Sequence, residues 1–281
     1  MAFTANGDCL VAGGPEGVHV RRVQDGKQME TLGVRDVECL AVSTDGRWIA
    51  AGTLRQAFIW DTRTYKQVFE LKDGPPIRAV DFSPDSTRLV AARGLKAIIW
   101  DIATCQRALV LQHGARLTAA KYSPQGDLIA AGTRVRVRVW DSNDGRWLFN
   151  IDVAVILDYN AGLRWSNNHL FVACEGKIKK LDISTRSIVS EWPVPRTNVV
   201  SCLALPQHGK FIAYSTGDTI TFWDTSTYTQ LFSIPRHLDQ APIALSPDDQ
   251  LFAFVARDGK ITVEHLFYIT VSFMYCAARQ S

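Results

Sequence analysis

Short apolar runs alternate with turn-forming residues along the whole chain. Ile77–Phe82 alternates apolar and polar positions and meets a Ser-Pro-Asp turn, and further apolar runs follow at 89–92, 97–100 and 108–111. Runs of this length, bounded by Gly, Pro, Asp and Ser, predict short β-strands joined by tight turns. No segment shows the apolar spacing of an amphipathic helix. The pattern therefore predicts an all-β protein.

A turn-like tetrad recurs at nearly constant spacing. Its first positions are residues 4, 43, 83, 123, 166, 205 and 246, which are 39 to 43 residues apart. The clear copies are STDG at 43–46, SPDS at 83–86, SPQG at 123–126 and SPDD at 246–249, whereas 166–169 and 205–208 are degenerate. Self-similarity at such a period is the signature of a repeat architecture.

A second marker keeps the same spacing. A Trp-Asp step closes an apolar segment 17 or 18 residues after the tetrad in four copies, and Leu181-Asp182 takes this place in the fifth. The repeat anchors are Trp60, Asp61, Trp100, Asp101, Trp140, Asp141, Asp182, Trp223 and Asp224. The two markers divide the chain into seven repeats at 1–36, 37–76, 77–116, 117–156, 157–198, 199–239 and 240–281.

A repeat of about 40 residues with four short strands and a closing Trp-Asp resembles the WD-repeat (WD-40 type) family. The resemblance extends along essentially the whole chain, and the copies are most similar to the degenerate WD repeats common in fungi. It implies one domain over residues 1–281, a seven-bladed β-propeller of four-stranded antiparallel blades.

The chain departs from the family at a buried hydrogen-bonded network. In the family, a His, an Asp six residues before the Trp, a Ser or Thr, and the Trp form this network. Leu54, Gly94, Arg134 and Gly217 occupy the Asp position here, and no Gly-His step occurs. We therefore expect the Trp residues to act as packing anchors.

The two ends of the chain are irregular. Three residues precede the first tetrad, so we expect the first blade to lack most of its inner strand. Residues 270–275 are expected to supply the outer strand of the last blade. We therefore expect the ring to close imperfectly.

The net charge limits the kinds of partner that we expect, and the cysteines limit the cellular compartment. The 281 residues include 31 basic and 28 acidic side chains, a balance that does not favour nucleic-acid or membrane binding. The six cysteines are scattered, and the first residues show no secretory signal. We expect an intracellular protein, cytoplasmic or nuclear, that is not secreted.

Motifs of catalysis and of metal or cofactor binding are absent from the sequence. It has no Walker, G-x-S-x-G or H-E-x-x-H motif, and no His has a second His or Cys at metal-ligand spacing. We expect no cofactor, no metal and no enzymatic activity. Because propellers can bring distant residues together at the central channel, an enzyme with a site there is a weaker alternative.

One surface is a candidate partner site. The resemblance implies that the turns between the second and third strands of each blade lie on one face. These turns carry eight basic residues against Glu175, Asp218 and Asp258. The basic residues are Arg55, Arg93, Lys96, Arg134, Arg136, Lys177, Arg257 and Lys260. We expect a non-enzymatic scaffold that displays this face to an acidic protein or peptide.

A second motif suggests another partner. Trp60, Asp61 and Arg63 match the W-D-x-R box by which some WD-repeat proteins dock on adaptors of cullin-type ubiquitin ligases. The alternative function is therefore a substrate receptor of such a ligase.

Overall fold

The computed structural model shows a ring of small antiparallel β-sheets. It describes residues 1–71, 75–152, 162–174, 176–195, 199–206, 209–235, 242–256 and 258–266. The described strands form seven sheets, six of four strands and a last one of three. The all-β, seven-bladed propeller predicted from the repeat is confirmed. The outer strand expected at 270–275 lies outside the described residues.

Each blade runs from an inner strand to an outer strand by consecutive hairpins. Blade 1 has β1 (Ala2–Phe3), β2 (Cys9–Gly14), β3 (Gly17–Arg22) and β4 (Gln28–Leu32). Blade 2 has β5 (Val37–Val42), β6 (Trp48–Thr53), β7 (Ala57–Asp61) and β8 (Gln67–Leu71). Blade 3 has β9 (Ile77–Phe82), β10 (Arg88–Arg93), β11 (Lys96–Asp101) and β12 (Gln106–Gln112). Blade 4 has β13 (Ala119–Tyr122), β14 (Leu128–Gly132), β15 (Arg136–Asp141) and β16 (Trp147–Asp152).

The later blades follow the same order. Blade 5 has β17 (Leu163–Ser166), β18 (His169–Cys174), β19 (Lys177–Asp182) and β20 (Ser187–Pro193). Blade 6 has β21 (Cys202–Ala204), β22 (Phe211–Ser215), β23 (Thr219–Asp224) and β24 (Gln230–Pro235). Blade 7 has β25 (Ile243–Leu245), β26 (Leu251–Val255) and β27 (Ile261–His265). No described helix is long and apolar enough to cross a membrane.

The tetrads are the turns between first and second strands. In blade 2, Ser43 Oγ donates to Asp45 Oδ1 at 2.5 Å and accepts from the Trp48 amide at 2.8 Å. Blades 3, 4 and 7 repeat this buried-serine pattern.

The degenerate copies differ: blade 5 turns at Asn167 with a φ of 50°, and blade 6 closes its turn one residue later, at Gly209. Thr4 makes the same two bonds in blade 1, whereas Ser166 of blade 5 lies in β17 and pairs with His169. The turn therefore depends on a hydroxyl group at its first position together with the residues that follow it.

The Trp-Asp step has two separate structural roles. The Asp caps the turn between third and fourth strands: Asp61 Oδ1 accepts from the Thr64 amide at 2.8 Å, and the Asp of blades 3, 5 and 6 does the same. In all six four-stranded blades a β-bulge in the outer strand lies beside the Trp position. The bulge residues are Met29, Val68, Ala108, Leu148, Val189 and Leu231.

The core lies between blades. Trp60 packs with Val11 and Val20 of blade 1, and Trp140 packs with Val90 and Ile99 of blade 3. Trp100 and Trp223 also pack on the adjoining clusters, and the buried Trp223 Nε1 has no described hydrogen-bond partner. The Trp residues are packing anchors, as expected from the incomplete network.

The first and last blades meet. β1 has two residues, as expected for a blade that lacks most of its inner strand, and it contacts both β25 and β5. Phe3 and Leu10 form a buried cluster with Ala244 and Ala253 of blade 7. The seven inner strands therefore contact one another in a complete ring, and the irregularity is confined to the short β1.

Candidate functional site: the top face

The turns between second and third strands lie at the end of the blades opposite the tetrads, which we call the top face. Three of these turns share one hydrogen-bond pattern, which we call the threonine lock. In it, a buried Thr is hydrogen-bonded to the residue three positions later. Thr53, Thr133 and Thr216 each donate their amide to that residue's carbonyl at 2.8 Å. Each Thr Oγ1 also accepts that residue's amide, at 3.0 to 3.2 Å. The lock holds the two intervening residues on a rigid tip.

Three of the predicted basic residues are ion-paired on their own blades. Arg136 Nε is 2.6 Å from Asp152 Oδ1, and Lys177 Nζ is 2.7 Å from Glu191 Oε2. Lys260 Nζ is 3.3 Å from Asp258 Oδ2. A partner must compete with a neighbouring carboxylate for each of these cations, so they are weaker candidates for recognition.

The side chain of Arg93 has a structural role. Its Nε donates to the Pro75 carbonyl at 3.1 Å, and its side chain is half-buried. It joins the end of β10 to the connection from blade 2. Arg257 and the acidic Glu175 lie outside the described residues.

The remaining basic residues sit beside exposed apolar tips that the sequence analysis missed. Leu54 is 44% exposed next to Arg55, Leu95 is 52% exposed next to Lys96, and Val135 is 66% exposed next to Arg134. These six residues, on consecutive blades 2 to 4, form what we call the tip patch. The available signal was an apolar residue at a turn position that normally carries a polar one.

The buried His113 supports the tip patch through a backbone hydrogen bond to Leu95. Its amide donates to the Leu95 carbonyl at 2.9 Å, and its buried ring stacks edge-on against Trp140. Burial, with Arg138 and Arg136 nearby, lowers the pKa of His113 to about 4. The ring is therefore neutral at pH 7, and neither ring nitrogen has a described hydrogen-bond partner.

The three residues of the W-D-x-R box have different roles in the structure. Trp60 is buried, and Asp61 caps its turn while its Oδ2 lies 3.9 Å from Arg47 Nε. Hydrogen bonds from Thr64 and Arg63 lower the pKa of Asp61. Arg63 is exposed on this turn, which lies on the tetrad end of blade 2. Only Arg63 of the three is placed to meet a partner.

A comparison with protein families identifies the repeat. The family model "WD domain, G-beta repeat" matches residues 26–61 and 64–101, and the two matches end on Asp61 and Asp101. Residues 26–101 therefore contain two WD repeats. Each match begins in the turn before an outer strand and ends in the third strand of the next blade, so a WD repeat spans two blades of the propeller.

Solved structures share the propeller fold of this chain. A chain in the crystal structure of the mitotic checkpoint complex is 18% identical, with 94% of this chain and 86% of that chain covered and a TM-score of 0.81. A chain of Kuenenia stuttgartiensis hydrazine synthase is 14% identical, with 94% of both chains covered and a TM-score of 0.80. No characterised protein sequence matches the chain. At these identities the likeness shows the propeller fold alone.

Proposed function

We propose that this chain is a non-enzymatic WD-repeat scaffold that binds an acidic protein or peptide segment on the tip patch. The observation that carries the proposal is the pairing of an exposed apolar side chain with a basic one on three consecutive blades. An apolar centre with charges beside it is the usual composition of a recognition surface. The threonine locks under blades 2 and 4 hold their tips rigid, which lowers the entropy cost of binding.

The proposal is tested by capturing partners from the source cells with three variants. One reverses Arg55, Lys96 and Arg134 to Glu, and a second changes Leu54, Leu95 and Val135 to Ser. The third is a matched control that reverses the exposed Lys66, Arg107 and Arg146 in the same three blades. We expect the first two variants to lose a partner that the control retains. Recovery should fall with rising salt, because exposed charges are screened.

Two results would count against a tip-patch scaffold. Partners retained by both tip variants would move the binding surface elsewhere. Equal loss in the control would show that net charge, and not the tips, determines binding. Circular dichroism and thermal unfolding of each variant establish that the propeller is intact.

The ligase alternative is tested by adding a fourth variant, Arg63→Ala, to the same capture experiment. Arg63 is exposed, and its only described contact is its amide donating to Asp61 Oδ1 at 3.0 Å. A cullin adaptor that is captured by the wild type and lost with Arg63→Ala would establish a substrate receptor. Its retention in the tip variants would separate that role from the tip patch.

The enzyme alternative gains no support from the described residues. No group of three or more His, Cys, Asp or Glu side chains among them is placed to hold a metal ion. Asp81 and Glu38 of the inner strands are each engaged by a basic side chain of a neighbouring blade. A scaffold therefore remains the proposal, with no cofactor and no metal required.

A further inference from the structure

Charges on the inner strands are paired between neighbouring blades. Arg78 Nη1 of blade 3 is 3.0 Å from Glu38 Oε2 of blade 2. Lys121 Nζ of blade 4 is 2.6 Å from Asp81 Oδ1 of blade 3. These four side chains balance one another, so none of them supplies a surplus charge around the central channel.

Arg164 of blade 5 is different. Its guanidinium pairs with no carboxylate in the part of the chain that the structure describes. Nη1 donates to the carbonyl of Leu163 at 2.9 Å, and Nη2 lies 4.0 Å from Cys202 Sγ. A half-buried guanidinium with donors to spare favours a carboxylate or another planar anion.

Arg164 lines a cavity of about 510 Å³ at the tetrad end of the central channel. Most of the wall is aliphatic and includes Ala2, Leu203, Ala204, Ala244 and Leu245. The sequence explains this space. Two residues before the tetrad, blades 3, 4 and 5 carry Asp81, Lys121 and Arg164, whereas blades 1, 2 and 7 carry Ala2, Ala41 and Ala244. Charged side chains therefore share this level of the channel with alanines, of which Ala2 and Ala244 line the cavity.

The polar groups at the mouth of the cavity limit its ligand. Ser43 and Ser246 donate within their own turns, and Thr44 Oγ1 lies 2.9 Å from Ser86 Oγ. Asp249 lines the same cavity from its turn. The hydroxyl donors of Ser43 and Ser246 are therefore already engaged within the protein.

We propose that this cavity binds one carboxylate joined to a short aliphatic group, with Arg164 holding the carboxylate. A cavity of this size suits a small molecule or a chain end. The chemistry could come from a short-chain carboxylic acid or from the terminal carboxylate of a peptide that ends in an aliphatic residue. The site is on the face opposite the tip patch, so the two proposals can fail independently.

The test is isothermal titration calorimetry on the full chain with matched acids and amides. The probes are hexanoate, hexanamide, acetyl-Gly-Val-Val with a free carboxylate, and the same peptide with an amide end. We expect at least one acid to bind about tenfold or more tightly than its amide, since a charge-assisted hydrogen bond is lost in the amide. Binding by hexanoate alone points to a free acid, and binding by the peptide alone points to a chain end.

Variants show whether Arg164 is responsible. Arg164→Gln should abolish the preference for acid over amide, and Arg164→Lys should retain part of it. Ala2→Leu should weaken both acids by narrowing the cavity without touching the guanidinium. Arg107→Gln, the same charge change on an exposed outer strand, should change nothing. The proposal is overturned if neither acid binds the wild type at millimolar concentration, or if Arg164→Gln binds acids as the wild type does.

Discussion

At the scale of the residue, the Trp and the Asp of the Trp-Asp step have different structural roles. The Asp satisfies the backbone donors of a tight turn, and the Trp fills the space between two blades. Neither half needs the other, which explains how blade 5 retains Asp182 beside a leucine. The complete step marks four of the seven repeats, because both roles recur in those blades.

The buried His113 should make stability depend on pH. Its pKa is about 4 in the folded protein against 6.5 in an unfolded chain, so the fold favours the neutral ring. Its contribution is complete above pH 6.5 and is lost as the pH falls toward 4, by about 3 kcal/mol at most. Urea unfolding of wild type and His113→Leu measures this contribution as the difference between their pH profiles. Parallel profiles would contradict the prediction.

Cys105 is held in a left-handed conformation, with a φ of 56°. Gly26 and Gly145 occupy the same turn position in blades 1 and 4, with φ of 68° and 74°. Cys105→Gly should raise the free energy of unfolding by about 0.5–1 kcal/mol, because glycine adopts this conformation without a steric cost. Cys105→Val should lower it. Chemical denaturation tests both, and equal effects would contradict the argument.

At the scale of the element, the blades are built from turns that carry their own hydrogen bonds. Asp224 Oδ1 accepts from the Ser226 hydroxyl and amide at 2.6 and 2.7 Å and from the Thr227 amide at 2.8 Å. These bonds, the Ser226 hydroxyl first, lower the pKa of Asp224 to about 2. The bonds close the turn between β23 and β24, beside the bulge in β24.

This turn predicts a graded effect of substitution. Asp224→Ala should destabilise the protein by about 1–2 kcal/mol, because it removes the acceptor of a capped turn. Asp224→Asn retains a neutral oxygen at the same place and should cost less. Thermal unfolding measures the order of the three proteins. An Asn variant as unstable as the Ala variant would show that charge, and not the acceptor, stabilises the turn.

At the scale of the whole molecule, stability depends on closing the ring. Each blade buries its apolar faces only against its neighbours, as in other repeat proteins. The contact between blades 7 and 1 depends on a short β1, where Phe3 is buried against Ala244 and Ala253. This is the interface with the least inner strand.

Phe3→Ala should therefore open the ring at one place. We expect a loss of about 3 kcal/mol, as for other large-to-small core changes. Hydrogen exchange should become faster in β2 and β26 and remain unchanged in β14 on the other side of the ring. Phe82→Ala, at the corresponding buried position of blade 3, is the control and should accelerate exchange in blades 2 and 3 instead. A uniform increase in both variants would contradict local opening.

The candidate sites could be predicted only in part. Residue types and turn positions placed a basic surface on one face, but they could not show that Arg136 and Lys177 are paired or that Arg93 holds a neighbouring loop. They also gave no reason to single out Leu54, Leu95 and Val135, since single exposed apolar residues are common and only their exposure on one face of three successive blades sets them apart.

The sequence by itself determined the number and order of the blades, because two markers at a constant period reflect local turns and short strands that each repeat must form. The tertiary structure alone decided which side chains meet. Lys121 and Asp81 are 40 residues apart yet form an ion pair, whereas Arg164, the next charge around the ring, faces a cavity. The physical reason is that blade stacking sets these distances, and neighbours across an interface are related by rotation about the channel and not by sequence.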